Sequence, residues 1–217
     1  RLRLEQRGDV ELALGAALER VDPRQRTVTI GGRTHGYRKL VSTIPLPQLV
    51  ERIEGVPQEI RDAAAALRSV RWRWLDVATR TPAPIPEHWI YVPDPEVPFF
   101  RVGIYSNAAP ATAPAGCSGL YVELADRERD PDLPAILAAL ADMGAISSPA
   151  DVLFTELREI EHAYVVFDEA HGPATTAIHG WLGAQGIRSC GRYGAWVYSS
   201  MEDALQDGME AAAWLQQ

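Results

Sequence analysis

The sequence predicts an α+β chain built around a mostly antiparallel sheet with helices, and three observations carry that prediction. Between Val70 and Glu123 the chain is rich in Trp, Tyr, Phe and Val, broken by the proline cluster Pro82, Pro84 and Pro86. The joins before Gly119 are too short to hold a crossover helix, which favours antiparallel or mixed pairing over a βαβ series. Two amphipathic stretches, from Pro57 to Leu67 and from Leu133 to Met143, repeat their apolar residues at helical spacing and follow prolines.

Size and charge bound the function. The chain has 217 residues, 47% hydrophobic and 23% charged, and a chain of this length buries roughly 70% of its unfolded surface, enough for a core without staples. The formal net charge is −8, from 29 acidic and 21 basic residues, with no basic stripe. A nucleic-acid binder is excluded on that ground. No apolar run reaches the length of a membrane span and no signal pattern opens the chain, so the reading is a cytoplasmic protein.

The elements follow in order. Val10 to Leu14 and Ala17 to Val21 read as strands, with a turn at Asp22-Pro23-Arg24. The alternation Thr27-Val28-Thr29-Ile30 before Gly31-Gly32 is a hairpin signal. A further strand, Leu40 to Ile44, stops at Pro45, and Leu46 to Val50 opens a helix. The strands of the second region are Val70 to Thr79, His88 to Val92, Phe99 to Tyr105 and Gly119 to Leu124. Val152 to Phe167 reads as one long strand or two, Thr175 to Gln185 as a helix, and Gly186 to Cys190 as a short strand. The last helix starts at Ser200-Met201-Glu202-Asp203, a capping box with Asp in the place of Glu or Gln. Met201, Ala204, Leu205, Gly208, Ala212 and Leu215 share one face of it, with Gly208 permitting close approach to a neighbouring sheet.

Two stretches concentrate chemistry. Gly191-Arg192-Tyr193-Gly194 leads through Tyr198 into the capped helix start, where backbone N–H groups face an electron-rich ligand and the Arg192 guanidinium adds a bidentate contact. On pattern alone, satisfaction of the helix end by Glu202 and Asp203, with Arg192 paired to one of them, stands beside that reading. The second stretch runs from His88 to Asn107. Arg101 lies there in an apolar, aromatic strand, where a charge needs an anion: Asp94, Glu123 or a ligand phosphate. The five histidines show no metal-ligand spacing, no G-x-S-x-G elbow is present, and Cys117 and Cys190 are compatible with a long-range bridge or, more simply, two free thiols. Trp72 and Trp74 share one strand face as core or interface residues.

Taken together, Leu40 to Leu46, His88 to Tyr91 with Pro98 to Arg101 and Tyr105 to Asn107, and Gly191 to Asp203 resemble the C-terminal portion of FAD-dependent oxidoreductases of the amine oxidase and protoporphyrinogen oxidase type, the UDP-galactopyranose mutases above all. The resemblance implies FAD contacts by Gly191, Arg192, Met201 and Glu202, and contacts to a sugar-nucleotide substrate by Arg101, Tyr198, Asn107 and Tyr91. It identifies no catalytic residue and no metal. It implies residues 1–45 as a flavin-domain remnant, 46–166 as a substrate domain, and 167–217 as the flavin domain's closing strand, turn and helix. The G-x-G-x-x-G unit that holds the ADP half of FAD is not in this sequence, and a chain that opens at Arg1 with strands under way fits a portion of a longer enzyme, inactive alone. Surface bared by truncation then favours self-association through sheet edges. The rival reading is a non-catalytic interaction module that uses the aromatic face around Trp72, Trp74 and Trp89.

Overall fold

The computed structural model describes residues 10–126 and 128–217. In chain order it holds β1 (Leu18–Asp22), β2 (Thr27–Ile30), β3 (Arg33–Gly36), β4 (Leu40–Ser42), α1 (Leu46–Glu51) and α2 (Gln58–Ala66). There follow β5 (Ser69–Thr79), β6 (Trp89–Tyr91), β7 (Phe99–Ile104), α3 (Tyr105–Ala108), β8 (Ser118–Leu124), α4 (Leu133–Asp142) and β9 (Val152–Val165). The chain closes with α5 (His171–Ala184), β10 (Ile187–Ser189), α6 (Gly191–Gly194) and α7 (Met201–Gln216). The class is α+β, as the sequence predicts.

The chain folds as two units, one of residues up to 68 together with 165–217, the other of residues 69–164. The first unit runs on past residue 45, through α1 and α2, to 68. The reason is packing: Leu46 and Leu49 of α1 and Ile60 of α2 share a core with Val21, Ile178, Leu182 and Trp196 of the first unit.

In the first unit β1, β2 and β3 form an antiparallel meander, and β10 pairs with β4 in parallel. Val10 to Leu14 is not a strand: it has no strand partner among the described residues, and Val10, Leu12 and Leu14 stand 40%, 42% and 62% exposed. Alternation alone does not make a strand when no neighbouring backbone accepts its hydrogen bonds.

In the second unit five strands lie in the order β6-β7-β8-β5-β9, with β6, β7, β8 and β5 antiparallel to their neighbours along that series. Val152–Val165 is a single strand. Leu75 and Val77 of β5, Val102 and Ile104 of β7, and Leu120 and Val122 of β8 alternate onto one face, where Ile136 and Leu140 of α4 complete the core. The Asp132 side chain caps α4 by accepting from the Ala135 amide at 3.1 Å.

The final helix corrects a second expectation. Its buried residue is Ala211, with Asp207 and Trp214 half-buried on the same side, whereas Met201, Leu205 and Leu215 of the predicted inner face stand 88%, 70% and 49% exposed. A Cβ on Gly208 would meet nothing within 4 Å, so no sheet approaches it among the described residues. Both cysteines are free thiols. No helix among the described residues is long and apolar enough to cross a membrane.

Candidate functional site

In the second unit, strand alternation puts the residues that do not face α4 onto an open sheet face. The register aligns them in two rows across four strands. One row is Tyr91, Arg101, Glu123 and Trp74; the next is Trp89, Gly103, Tyr121 and Asp76.

Arg101 organises the first row. Its Nη2 donates to Glu123 Oε1 and its Nη1 to the Tyr91 hydroxyl at 3.4 Å, while the guanidinium carbon lies 4.5 Å from the Trp89 ring centroid and 5.7 Å from that of Tyr91. Of the partners the sequence offered, the anion is therefore Glu123. Burial pulls the Arg101 guanidinium down, but the hydrogen bonds to Glu123 and Tyr91 outweigh it and leave its pKa raised, so it is a permanent cation. The bond from Arg101 holds the Tyr91 phenol below its ordinary value. Glu123 Oε2 and Arg101 Nε are buried with no hydrogen-bond partner in the structure, so the pair retains unused acceptor and donor capacity.

The second row was not legible as a site. Tyr121 lies with its ring 4.9 Å from Tyr105 and 6.3 Å from Trp89, and burial raises the phenols of Tyr121 and Tyr105. With Trp89 at 48% and Tyr91 at 63% exposure, these rings form an accessible aromatic platform with an ion pair at its edge. Beside it, between β5, β8 and the segment at 112–117, lies a cavity of about 350 Å³ lined by Tyr105, Pro114, Cys117, Phe154 and Arg158. Asn107 lies at the end of the same stretch, in α3. Its side-chain amide donates to the carbonyls of Ile85 and Glu87, both at 2.8 Å, and so ties down the proline-rich loop.

In the first unit the structure gathers Gly191, Arg192, Tyr198, Met201 and Glu202 around the start of α7. Gly191, at φ 74°, turns the chain out of β10 and donates its amide to Asp207 Oδ2 at 2.8 Å. What sequence reads as a glycine-flanked turn is the one-turn helix α6, and it packs so closely that a Cβ on Gly194 would stand 3.0 Å from the Ser42 carbonyl oxygen and 2.9 Å from Ser189 Oγ. Arg192 donates from Nη1 to the Ser199 carbonyl at 3.3 Å and stacks 5.0 Å from the Tyr198 ring, which is 66% exposed.

The capping box at α7 is complete. Asp203 N–H donates to Ser200 Oγ at 3.2 Å, and Ser200 N–H donates to Asp203 Oδ2 at 2.7 Å. The Ser200 N–H and the Ser200 hydroxyl, which donates to the same Oδ2 at 2.8 Å, hold the Asp203 carboxyl below the usual range. The amides of Met201 and Glu202 have no acceptor within the helix, which leaves two donors at its positive end. His171 and His179, given no role by sequence spacing, brace the turn: their Nε2 atoms lie 2.8 and 3.3 Å from the carbonyl oxygens of Trp196 and Ala195. Burial lowers the His179 pKa, so it stays neutral. No group of three or more potential metal ligands occurs among the described residues.

No protein-family model matches the sequence. Solved structures do. A reduced UDP-galactopyranose mutase aligns with a TM-score of 0.80 and 21% identity, over 93% of this chain and 46% of that one. A putative protoporphyrinogen oxidase from Exiguobacterium sp. 255-15 aligns at 0.63 and 13%, over 88% and 44%. A putrescine oxidase redesigned for cofactor binding aligns at 0.63 and 16%, over 93% and 49%. The chain thus spans about half the length of each, and it carries the fold they share.

Proposed function

We propose that this chain is a portion of a flavin-dependent enzyme that acts on a sugar nucleotide in the manner of UDP-galactopyranose mutase, and that the isolated chain is inactive. The observation that carries the reading is the mutase-like fold joined to two prepared surfaces: the donor-rich start of α7 and the aromatic face around Arg101. An amine or porphyrinogen oxidation on the same fold is the second reading, favoured by the other two neighbours.

The start of α7 fits a flavin. The free amides of Met201 and Glu202 suit an electron-rich ring edge, the turn at Gly191 leaves the approach without a side chain, and Arg192 is held by Ser199 and Tyr198 beside it. When bound, FAD supplies the ring that makes or accepts the reacting bond. This chain's residues bind and orient. On the sheet face, the exposed ring of Trp89 or of Tyr91 stacks on a flat ring. The permanently charged Arg101 offsets negative charge on a departing diphosphate. Asn107 acts as a positioning residue through the loop it ties, and Tyr198 contacts substrate from its exposed ring.

Titrating the chain with FAD while following flavin fluorescence tests the first surface. Saturable quenching that weakens at least about tenfold in Arg192→Ala supports it, and quenching unchanged in that variant removes Arg192 from the site. UDP-galactose followed by tryptophan fluorescence tests the second. Saturation that disappears in Trp89→Ala supports the sugar-nucleotide reading, and no response to any uridine diphosphate sugar overturns it. The interaction-module reading is weakened by the half-burial of Trp72 against Phe100 and Tyr164, at ring distances of 5.3 and 4.9 Å.

A further inference from the structure

Backbone strain in the first unit is concentrated at Trp196. The short helix α6 ends in a Schellman turn: Ala195 closes it, Trp196 follows with φ 58°, and the Val197 amide reaches back to the Arg192 carbonyl at 3.1 Å. Glycine, and less often asparagine, fills the place of Trp196 in such turns, because a left-handed backbone sets Cβ against the neighbouring carbonyl. A bulky aromatic residue there is an outlier that persists only where its surroundings over-determine it. Arg26, the other described non-glycine residue at positive φ, lies exposed in the turn between β1 and β2 and bears on no site.

Packing and hydrogen bonding both hold it. The indole is buried in the core with Ile178, Leu182 and Ile187. The Trp196 carbonyl lies 2.8 Å from His171 Nε2, and opposite a carbonyl oxygen that nitrogen carries the proton and donates. His171 is itself fixed: its amide donates to Asp168 Oδ1 at 3.2 Å, its carbonyl accepts from Thr175 Oγ1 at 2.8 Å, and its ring lies 4.6 Å from that of Phe167. About two turns farther along α5, His179 meets the preceding carbonyl, that of Ala195. On the other side Gly194 packs against Ser42 and Ser189 with no room for a Cβ, so α6 cannot shift. The direction of the chain after α6 is therefore set at Trp196, and the next residues include Tyr198 and Ser199, the ring and the carbonyl against which Arg192 rests.

We propose that His171 is a positioning residue of the ligand surface at the start of α7. Its Nε2–H keeps the Trp196 carbonyl turned toward α5, which keeps the backbone of Trp196 left-handed and delivers Tyr198 and Ser199 to Arg192. The guanidinium is thereby in place before a ligand arrives, and binding does not have to order it. The donor carries this role, not the bulk of the ring. For the identity of the ligand the inference rests on the flavin reading of this surface; the positioning is a property of the turn alone.

Two variants separate the donor from the ring. His171→Phe keeps a ring against Phe167 and has no donor, while His171→Gln gives up the ring and keeps a side-chain N–H. One readout is the NMR signal of the Arg192 Nε–H, displaced by the ring current of Tyr198 and assigned through Arg192→Lys; the other is the FAD titration of the chain. His171→Phe is expected to return the Arg192 signal to the position of an unstacked arginine and to weaken FAD binding at least about tenfold, with the helical circular dichroism unchanged. His171→Gln is expected to keep both close to wild type. A wild-type Arg192 signal without displacement, one that stays displaced in His171→Phe, or one lost equally in His171→Gln overturns the proposal and leaves the histidine a packing residue. Should His171→Phe not fold, His171→Gln decides alone: a displaced signal supports the role and its loss overturns it. Absence of FAD binding to the wild-type chain overturns the flavin reading of the surface, and the Arg192 signal still decides the positioning.

Discussion

The Tyr121 ring lies where a side chain on Gly103 would stand: a Cβ built there meets Cε1, Cζ and the hydroxyl oxygen of the ring. The two residues face each other across β7 and β8. The glycine is thus the bed on which the aromatic row rests.

Gly103→Ala is expected to push Tyr121 off the sheet and cost about 1–3 kcal/mol, as overpacking does. Urea unfolding reads the loss as a lower midpoint. The double variant Gly103→Ala with Tyr121→Ala is expected to cost less than the sum of the two single changes. Strict additivity would show that the ring and the glycine are not coupled.

Arg101 and Glu123 are 15% and 8% exposed at their side chains, so removing one partner leaves an unpaired charge in a poorly hydrated place. Glu123→Ala is expected to cost about 3–5 kcal/mol, and the paired replacement Arg101→Met with Glu123→Leu far less. Equal losses in the two variants would mean that the ion pair itself, and not the desolvation of a lone charge, governs stability here.

His179 sets an acid limit on the first unit. Burial depresses its folded-state pKa below the ordinary 6.5, so the unfolded chain binds the proton more readily. Stability is then fully present above that value and falls as pH drops through it toward the depressed one. Thermal unfolding followed from neutral to mildly acidic pH is expected to show the decline, and His179→Gln, which keeps a donor for the Ala195 carbonyl, to flatten it. An identical slope in that variant would assign the decline to other groups.

The α7 capping box gives the opposite test in strong acid. Ser200→Ala removes the acceptor for the Asp203 amide and is expected to cost about 1 kcal/mol at neutral pH. Because the bonds from Ser200 depress the Asp203 pKa below 3.8, that carboxylate's contribution is present above its unfolded value and is lost as pH falls through the folded one. The deficit of Ser200→Ala is therefore expected to shrink in melts recorded at strongly acidic pH.

Local signals in the sequence located β2 to the residue, the capping box at Ser200, and the helix after Pro57 to within one residue at each end. These depend on neighbours in the chain. What sequence misplaced depends on partners far along it. The alternation from Val10 to Leu14 looks like a strand, yet no strand among the described residues pairs with it. The apolar stripe of α7 was read as facing inward because periodicity reports which residues share a face and not what covers it. Arg101 was visible as a charge needing an anion, but choosing Glu123 over Asp94 required the β7 and β8 register. Tyr121 and Gly103 were silent for the same reason, and so were the bonds by which Asn107 ties the loop at Ile85 and Glu87.

The first unit is discontinuous: roughly a hundred residues, 69–164, separate its two halves. Synthesis runs from the N-terminus at about 5–20 residues per second, so Val21 and Leu49 leave the ribosome several seconds before Ile178 and Leu182, the residues that complete their core. The meander β1–β3 must wait unburied over that interval, while the continuous second unit already has every strand it needs. The order of assembly is thereby written into the order of translation: the inserted sheet forms first, and the unit that encloses it in sequence closes last.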